Sequence, residues 1–283
     1  MPEIFLKAHS LQRVVEAASW GRQLTGQAPG GPADLVSARE ANLLVSNPAT
    51  HPLLEVTLSA GELFATVDIW LSINGATLPA KRVDESGKQA FFPNHKTVLL
   101  KAGSKLVWEA PKQACRAYIA IYQGWLGDSE TVSEKQGYAV YRVEATRQTP
   151  PVKTRLPLPV LLPNCERPRG CIRVLPGPEA SEKILHYLFQ QRWQVSPVSG
   201  LQGLRLLGDK PPEDFACDIV SAPVQDGTIQ LTPDGPIALL RERQTVGGYA
   251  RIAQIIADDV NVLAQFRPGD TLRFISACYK RVY

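Results

Sequence analysis

Over most of the chain, apolar and polar residues alternate with the two-residue period of a half-buried β-strand. In residues 67–73 the apolar side chains occupy the odd positions, and Asp68, Trp70 and Ser72 occupy the even ones. Residues 116–122 alternate in the same way. Further strands are predicted at residues 53–58, 98–100, 106–108, 172–175, 228–231, 237–240 and 271–275. The 23 prolines and 21 glycines fall largely between these runs, where turns need them.

A few segments carry helical patterns instead. Asp34 is placed to cap a helix over residues 35–45, because its carboxylate can accept a free backbone N–H. Residues 178–189 form an apolar helical face, and a short helix is expected over residues 259–265. Between them, an i, i+3, i+4, i+7 apolar stripe predicts a helix that starts near residue 249. The stripe consists of Tyr249, Ile252, Ala253 and Ile256.

Many short strands with few helices predict a mainly β protein built from barrels or sandwiches. Two similar glycine turns, at residues 101–106 and 267–272, each precede a late strand of their own half of the chain. A proline-rich stretch over residues 149–163 lies between the halves and has the composition of a connector. We therefore predict two β domains, residues 1–150 and 151–283; one large barrel with a long loop is the alternative.

Composition and charge narrow the class of protein. The 31 basic and 27 acidic residues are interleaved and leave a net charge of +4, so no concentrated basic face indicates a nucleic-acid partner. No signal peptide or membrane-spanning run is recognisable, and the five widely spaced cysteines are typical of reduced thiols in a cytoplasm. The four scattered histidines form no metal-ligand motif, so no metal site is expected.

Several familiar kinds of catalytic machinery are missing from the sequence. Residues 203–210 (GLRLLGDK) only approach a Walker loop, and their alternation predicts a strand instead of a phosphate cradle. No G-x-S-x-G nucleophile elbow occurs. The sole methionine is Met1, so the Met-Lys-Met sequence around a biotinylated lysine is absent. If ATP is used, this chain is therefore not expected to bind it through a P-loop, and any biotin is expected on a partner.

The densest candidate motif occupies residues 221–256. It contains SAP at 221–223, GTIQ at 227–230, PDGPI at 233–237 and QTVGGY at 244–249. Two glycines, Gly247 and Gly248, precede the helix predicted from Tyr249. Backbone N–H groups at such a helix start suit a carboxylate or phosphate, and Arg251 can add a forked donor. The structural alternative is a tight turn followed by a core tyrosine.

These blocks, followed by PGD at 268–270, resemble the signature of the family of second allophanate-hydrolase-type subunits. Residues 172–178 (IRVLPGP) match another block of that family, and the N-terminal half supplies further positions in register. The resemblance covers nearly the whole chain. It implies two cyclophilin-like β-barrel domains, with the Gln-Thr-x-Gly-Gly-Tyr motif in the second. Members of the family act as the C subunit of ATP-dependent 5-oxoprolinase or as carboxyltransferase modules.

The chain departs from the family pattern at several places, among them a shortened Gly- and Arg-rich stretch after residue 131 and Glu242 where an Asp is usual. The usual Gln-Asp-x-Gly-Arg is VEAAS at residues 15–19, and the usual Ser-Asp-Arg-x-Gly is SGLQG at residues 199–203. The Leu-Gly-Ser-x-Ser-Thr block is reduced to LGDSET at residues 126–131. The loss of two arginines weakens an anionic-substrate site, because a guanidinium fork has no ready substitute.

The resemblance implies a component of an ATP-dependent 5-oxoprolinase, which opens 5-oxo-L-proline to L-glutamate together with partner subunits. Within the matching motif we predict catalytic roles for Gln244, Thr245 and Tyr249, with the tyrosine donating to a developing oxyanion. ATP is expected in the assembled complex and not through a loop of this chain. The expected partners are a first-type protein, similar to the 5-oxoprolinase B subunit, and a LamB/YcsF-type A subunit. The predicted substrate-binding residues are Asp34, Asn42, Gln230, Gly247, Gly248 and Arg251.

Two other functions remain open at this point. The chain can be a carboxyltransferase module of a urea carboxylase or allophanate hydrolase system, acting with a biotin-bearing partner on a small amide. It can also be a non-catalytic regulatory subunit, like family members that antagonise an inhibitor of a sensor kinase. Each predicted site residue has a structural alternative as well, such as a buried glutamine that satisfies backbone groups or a surface arginine.

Overall fold

The computed structural model describes residues 3–7, 11–123, 125, 133–135, 138–142 and 170–277. Within them strands predominate and the helices are few and short, which confirms the mainly β prediction. The chain divides into two compact units. The first comprises Met1–Ala17 and Asp34–Val160, and the second comprises Ala18–Ala33 and Leu161–Tyr283. The predicted connector at 149–163 and the 126–131 block lie outside the described residues.

In its described residues, the first unit contains one helix and two antiparallel sheets. Its elements are β1 (Glu3–Lys7), β2 (Gln12–Val15), α1 (Leu35–Leu44), β3 (Leu53–Thr57), β4 (Gly61–Ala65), β5 (Ile69–Gly75), β6 (Ala80–Val83), β7 (Gln89–Phe92), β8 (Val98–Leu100), β9 (Lys105–Trp108), β10 (Arg116–Ile121), β11 (Ser133–Lys135) and β12 (Tyr138–Arg142). One sheet has the order β11-β12-β1-β4-β9-β6-β7, and the other has the order β2-β3-β10-β5-β8. Helix α1 packs on β5 and β10, whose side chains are buried on both faces of the sheet.

The second unit is built around a closed barrel. Its elements are a short 3-10 turn (Gln23–Thr25), β13 (Cys171–Pro176), α2 (Glu182–Gln190), β14 (Trp193–Val195), β15 (Gly203–Leu207), β16 (Asp218–Pro223), β17 (Thr228–Thr232), β18 (Gly235–Leu239), β19 (Val246–Ile255), α3 (Ala257–Leu263) and β20 (Thr271–Ser276). Seven strands pair in the order β13-β20-β14-β15-β18-β17-β19, and β19 pairs with β13 again, which closes the ring. Strand β16 lies outside the ring and pairs with β19.

Alternation along the barrel strands separates a core face from an outer face. The core face includes Leu204 and Leu206 of β15, together with apolar residues of β17 and β19. Side chains point alternately to the two faces of a strand, so the residues between these core positions face outward. Arg205, Gln230 and Tyr249 are among them. The candidate site described below is assembled on this outer face.

The helix predicted from residue 249 is wrong, because this segment belongs to strand β19. The error has a local cause. A register irregularity opposite Ile229 and Gln230 makes β19 bulge, and Ile252 and Ala253 are consecutive buried residues at that point. A bulge interrupts the two-residue period. The interrupted period imitates the i, i+3, i+4 spacing of a helix.

The other predicted helices are present with shifted ends. Asp34 caps α1 as expected: its side chain accepts hydrogen bonds from the backbone N–H groups of Val36 and Ser37, each at 3.1 Å. Helix α2 starts after Ser181, whose hydroxyl caps it, and not at Pro178. None of the helices in the described part of the chain has the length and apolar character needed to cross a membrane. Cys217 carries a free thiol and Cys115 is buried; Cys165 and Cys278 lie outside the described residues.

Candidate functional site

A pocket of about 510 Å³ lies on the outer face of the barrel in the second unit. It forms where the outer faces of β15, β17 and β18 meet the loop before β15 and the segment that leads into β19. Three predicted site residues, Gln230, Gln244 and Tyr249, line it together. The other lining residues are Val198, Gly200, Leu201, Gln202, Gly203, Arg205, Ile237 and Leu239.

A chain of hydrogen bonds fixes the amide groups in this pocket. Gln230 is buried and its Nε2 donates to the backbone oxygen of Tyr249 at 3.1 Å. A carbonyl oxygen only accepts, so this bond identifies which end of the Gln230 amide carries the nitrogen. Gln230 Oε1 then accepts from Gln244 Nε2 at 2.9 Å. The Gln244 amide is thereby oriented, and its Oε1 makes no hydrogen bond within the described part of the chain.

Tyr249 adds a second polar group that is available to a ligand. Its side chain is 38% exposed. Its hydroxyl makes no hydrogen bond to any residue that the structure describes. The pocket therefore holds a phenol O–H that can turn to donate and an amide oxygen of fixed orientation that can accept. Such a pair can bind a small amide through its C=O and N–H groups.

Gly247 is needed for the close approach of β19 to Gln230. A Cβ at this position would lie 2.4 Å from Gln230 Nε2, well inside van der Waals contact. The neighbouring Gly248 is different, because its nearest atoms would lie 3.6 Å away. Neither glycine has a positive φ, and neither precedes a helix. The anion site expected from N–H groups at a helix start therefore does not form here.

We expect Gly247→Ala to displace the Gln230 amide and to lower the free energy of unfolding by about 1–3 kcal/mol, as overpacking of a buried site does. Gly248→Ala is the matched control on the same strand and is expected to change stability by less than about 0.5 kcal/mol. Urea denaturation measures both effects. Equal stabilities for the two variants would show that Gln230 can move away without losing its bonds.

Arg251 lies apart from this pocket. Its guanidinium forms a two-point ion pair with Glu179, with Nε–Oε2 at 3.0 Å and Nη2–Oε1 at 2.7 Å. Its Nη1 donates to the backbone oxygen of Pro223 at 3.1 Å. The hydrogen bond from Arg251 lowers the pKa of the Glu179 carboxyl. Arg251 lines a separate depression of about 410 Å³, and its donors are largely used within the protein.

Thr245 contributes through its backbone. Its carbonyl oxygen accepts a hydrogen bond from the N–H of Val224 at 3.1 Å. This bond ties the segment before β19 to the end of β16. Thr245 is not among the residues that line the pocket.

Asp34 and Asn42, the remaining predicted site residues, lie in the first unit. Besides capping α1, Asp34 accepts from the hydroxyl of Ser37 at 2.6 Å. Asn42 is buried, and its Nδ2 donates to the backbone oxygen of His51 at 2.8 Å. Its Oδ1 accepts from Asn47 at 3.3 Å. In the structure both residues organise the two ends of α1.

A buried hydrogen-bond chain continues from Asp34 through the first unit. The backbone N–H of Asp34 donates to the hydroxyl of Tyr118 at 2.8 Å, and that hydroxyl donates to Glu55 Oε2 at 2.9 Å. Glu55 is also paired with Arg13. Burial, with the charge of Glu55, raises the pKa of Tyr118 well above its ordinary value. The phenol is therefore neutral and acts as a fixed connection between β10, β3 and the start of α1.

A charge cluster adjoins Gln244, one of the residues that line the pocket. Asp226 binds Arg241 through Oδ2 and Arg243 through Oδ1, each at 2.9 Å. Arg243 Nη1 also donates to the backbone oxygen of Gln244 at 3.1 Å. This cluster fixes the backbone of the residue whose side chain carries the oriented amide.

Sequence reasoning missed four residues that shape this region: Gln202, Arg205, Glu179 and Asp226. The sequence alone could have placed Arg205 on the outer face of the barrel, because it lies between the core residues Leu204 and Leu206 of one strand. Residues 200–203, in the segment where the sequence departs from the family pattern, form part of the pocket wall. No group of three or more His, Cys, Asp or Glu suited to a metal occurs among the described residues.

Comparisons with known proteins agree with this architecture. A family model described as the carboxyltransferase domain, subdomain A and B, matches residues 25–276. The chain is 29% identical to the 5-oxoprolinase C subunit of Escherichia coli, over 95% of this chain and 89% of that protein. It is 28% identical to the putative urea carboxylase of Emericella nidulans, over 88% of this chain and 22% of that protein.

A solved structure, that of TTHA0988, has the same fold. It superposes with a TM-score of 0.77 at 25% identity and covers 98% of this chain. The match includes 56% of the TTHA0988 chain. This chain therefore spans about half the length of that solved protein and most of the Escherichia coli protein.

Proposed function

The chain belongs to the carboxyltransferase domain family, and from that membership we propose that it is a component of an ATP-dependent 5-oxoprolinase, equivalent to the C subunit of that enzyme. In this proposal it acts with partner subunits to open 5-oxo-L-proline to L-glutamate, as part of a cytoplasmic hetero-oligomer. The match to a 5-oxoprolinase C subunit over nearly the full length of both chains supports it. The observation that carries it is that the oriented Gln244 amide and Tyr249 line one pocket.

The pocket chemistry suits the reaction. A lactam is a cis amide, so its N–H and C=O lie on the same side of the ring. The Gln244 amide offers an acceptor oxygen and a second N–H to such a pair. The Tyr249 hydroxyl is available to donate to the lactam oxygen, where negative charge develops as water adds to the carbonyl carbon. Gln230 acts on Gln244 and is a positioning residue.

Lactam opening requires the ring C–N bond to break. Water supplies the new carboxylate oxygen, and the departing nitrogen takes up a proton to become the amine of glutamate. The residues 203–210 that approach a phosphate loop begin with strand β15, so they do not fit a nucleotide phosphate. We therefore assign ATP to partner subunits and derive no step through it on this chain.

A second function has support from the comparisons. The family model is named for carboxyltransferase domains, and the Emericella nidulans relative is a putative urea carboxylase. A carboxyltransferase module would use the same amide-binding pocket to hold the nitrogen that accepts a carboxyl group. The carboxyl donor, carboxybiotin, would then be carried by a partner and would be left as biotin after the transfer.

We expect co-expression with a first-type protein, similar to the 5-oxoprolinase B subunit, to give a complex that co-elutes in size-exclusion chromatography, with an interface above about 1,000 Å². Once a LamB/YcsF-type A subunit is included, the complex should release glutamate and phosphate together from 5-oxo-L-proline and ATP. The isolated chain is the control and should show no coupled turnover. Separate elution at micromolar concentration contradicts the assembly. A complex that turns over only with a biotin-bearing partner supports the carboxyltransferase function.

A further inference from the structure

Among the described residues that line the pocket, Arg205 is the only one that carries a charge. It lies on the outer face of β15, and its side chain is exposed. Its guanidinium makes no hydrogen bond or ion pair with any residue that the structure describes. An arginine that faces a pocket without an internal partner keeps its five N–H donors for a ligand.

The register of the barrel places Arg205 close to Gln230, whose amide is hydrogen-bonded to that of Gln244. Arg205 pairs with Ile237 of β18, and Ile237 pairs with Gln230 of β17. The three residues form a row across neighbouring strands on one face. Strands lie about 4.8 Å apart, so the backbones of Arg205 and Gln230 are about 10 Å apart. A small molecule held between the guanidinium and the Gln244 amide can span that gap, with Ile237 under its apolar part.

The other arginines near this face are already paired. Glu179 occupies Arg251, and Asp226 occupies both Arg241 and Arg243. Arg205 also borders a smaller depression of about 210 Å³ that includes Asp234, but no ion pair forms between these two described residues. Arg205 is thus the cation that can meet an anionic group in the pocket.

From this arrangement we infer that Arg205 is a specificity-determining residue that binds the carboxylate of an amide or lactam substrate. A guanidinium fork matches a carboxylate with two parallel hydrogen bonds. The oriented Gln244 amide binds the C=O and N–H of the same molecule. The pocket therefore selects amides that carry a carboxylate over neutral ones such as urea. This inference rests on the proposed function for the identity of the pocket as the substrate site.

The inference is tested by comparing how two ligands bind to the full wild-type chain and to its Arg205→Gln variant. The ligands are 5-oxo-L-proline and 2-pyrrolidinone, the lactam that lacks the carboxylate, and calorimetry or NMR titration measures their affinities. Arg205→Gln should weaken 5-oxo-L-proline binding by about tenfold, since a charge-assisted pair at an exposed site is lost. It should leave 2-pyrrolidinone binding unchanged. Arg192→Gln is the control for the loss of one exposed positive charge in the same unit.

The outcomes separate this inference from the proposed function. If Arg205→Gln weakens both ligands equally, or neither, Arg205 does not read the carboxylate. Failure of the wild-type chain to bind 5-oxo-L-proline, alone and in the assembled complex, also overturns the inference. If Arg205→Gln weakens only 5-oxo-L-proline but the complex shows no ATP-dependent turnover, the inference is supported and the proposed reaction is contradicted. If the complex turns over but Arg205→Gln does not change the affinities selectively, the reaction is supported and the inference is contradicted.

Discussion

Replacing Asp226 by asparagine is expected to lower the free energy of unfolding by about 3–5 kcal/mol, the usual cost of removing one partner from a buried ion pair. The Asp226 side chain is 14% exposed, and it binds the guanidinium groups of Arg241, 9% exposed, and Arg243, 3% exposed. Asparagine keeps the shape of the side chain but not its charge. Two buried cations would then share a neutral amide, and one of its two contacts would place N–H groups against N–H groups.

Asp234→Asn is the matched control for Asp226→Asn. Asp234 is an exposed residue of the turn between β17 and β18, and its carboxylate makes no ion pair within the described residues. Its replacement should change stability by less than about 0.5 kcal/mol. Urea denaturation of both variants measures the difference. If Asp226→Asn is as stable as Asp234→Asn, other groups neutralise the two arginines and the cluster does not depend on Asp226.

The Asp226 cluster also bears on the pocket. Arg243 donates to the backbone oxygen of Gln244, so a shift of Arg243 moves the residue that carries the oriented amide. Asp226→Asn should therefore weaken 5-oxo-L-proline and 2-pyrrolidinone alike. That pattern differs from the carboxylate-specific loss expected for Arg205→Gln.

The mainly β class and about half of the described strands could be predicted, because two-residue alternation is a local property of the sequence. The turn at Asp234 and the strand at residues 203–207 follow directly from local residue types. The strand β19 could not be recognised, because its bulge depends on its pairing with β17. Pairing between distant strands leaves no trace in a single sequence.

The site was predictable to the same limited extent. The motif at 244–249 and Gln230 pointed to one site, and the structure brings Gln230, Gln244 and Tyr249 to one pocket. Arg251 belongs to the same motif, but its partner Glu179 lies 72 residues away in the sequence. That pairing is set by the closure of the barrel. Arg205 carries no motif, and only its place in a cross-strand row shows what it faces.

Barrel closure depends on the seam between β13 and β19, where Val174 pairs with Ile255 and Pro176 pairs with Ala253. Immediately after this seam, Gly177 donates its N–H to the backbone oxygen of Ile252 at 3.1 Å. A Cβ on Gly177 would lie 2.0 Å from the backbone oxygen of Arg251 and 2.8 Å from the nitrogen of Ala253. These are backbone atoms of a paired strand, so no side-chain rotation can relieve the overlap.

Gly177→Ala is therefore expected to lower the free energy of unfolding by about 3 kcal/mol or more, at or beyond the upper end of overpacking costs. The chain leaving β13 would have to move away from β19, which would also strain the Glu179–Arg251 ion pair. Gly200→Ala is the control, because a Cβ there has no atom within 4 Å and its φ is not positive. Thermal and urea denaturation measure both variants, and hydrogen exchange at Ile252 and Ala253 locates the effect.

If Gly177→Ala is as stable as Gly200→Ala, the seam tolerates separation and the barrel is held closed elsewhere. Where Gly177→Ala still folds, combining it with Glu179→Gln shows whether loss of the ion pair adds to the damage or is already contained in it, since coupled sites give non-additive changes.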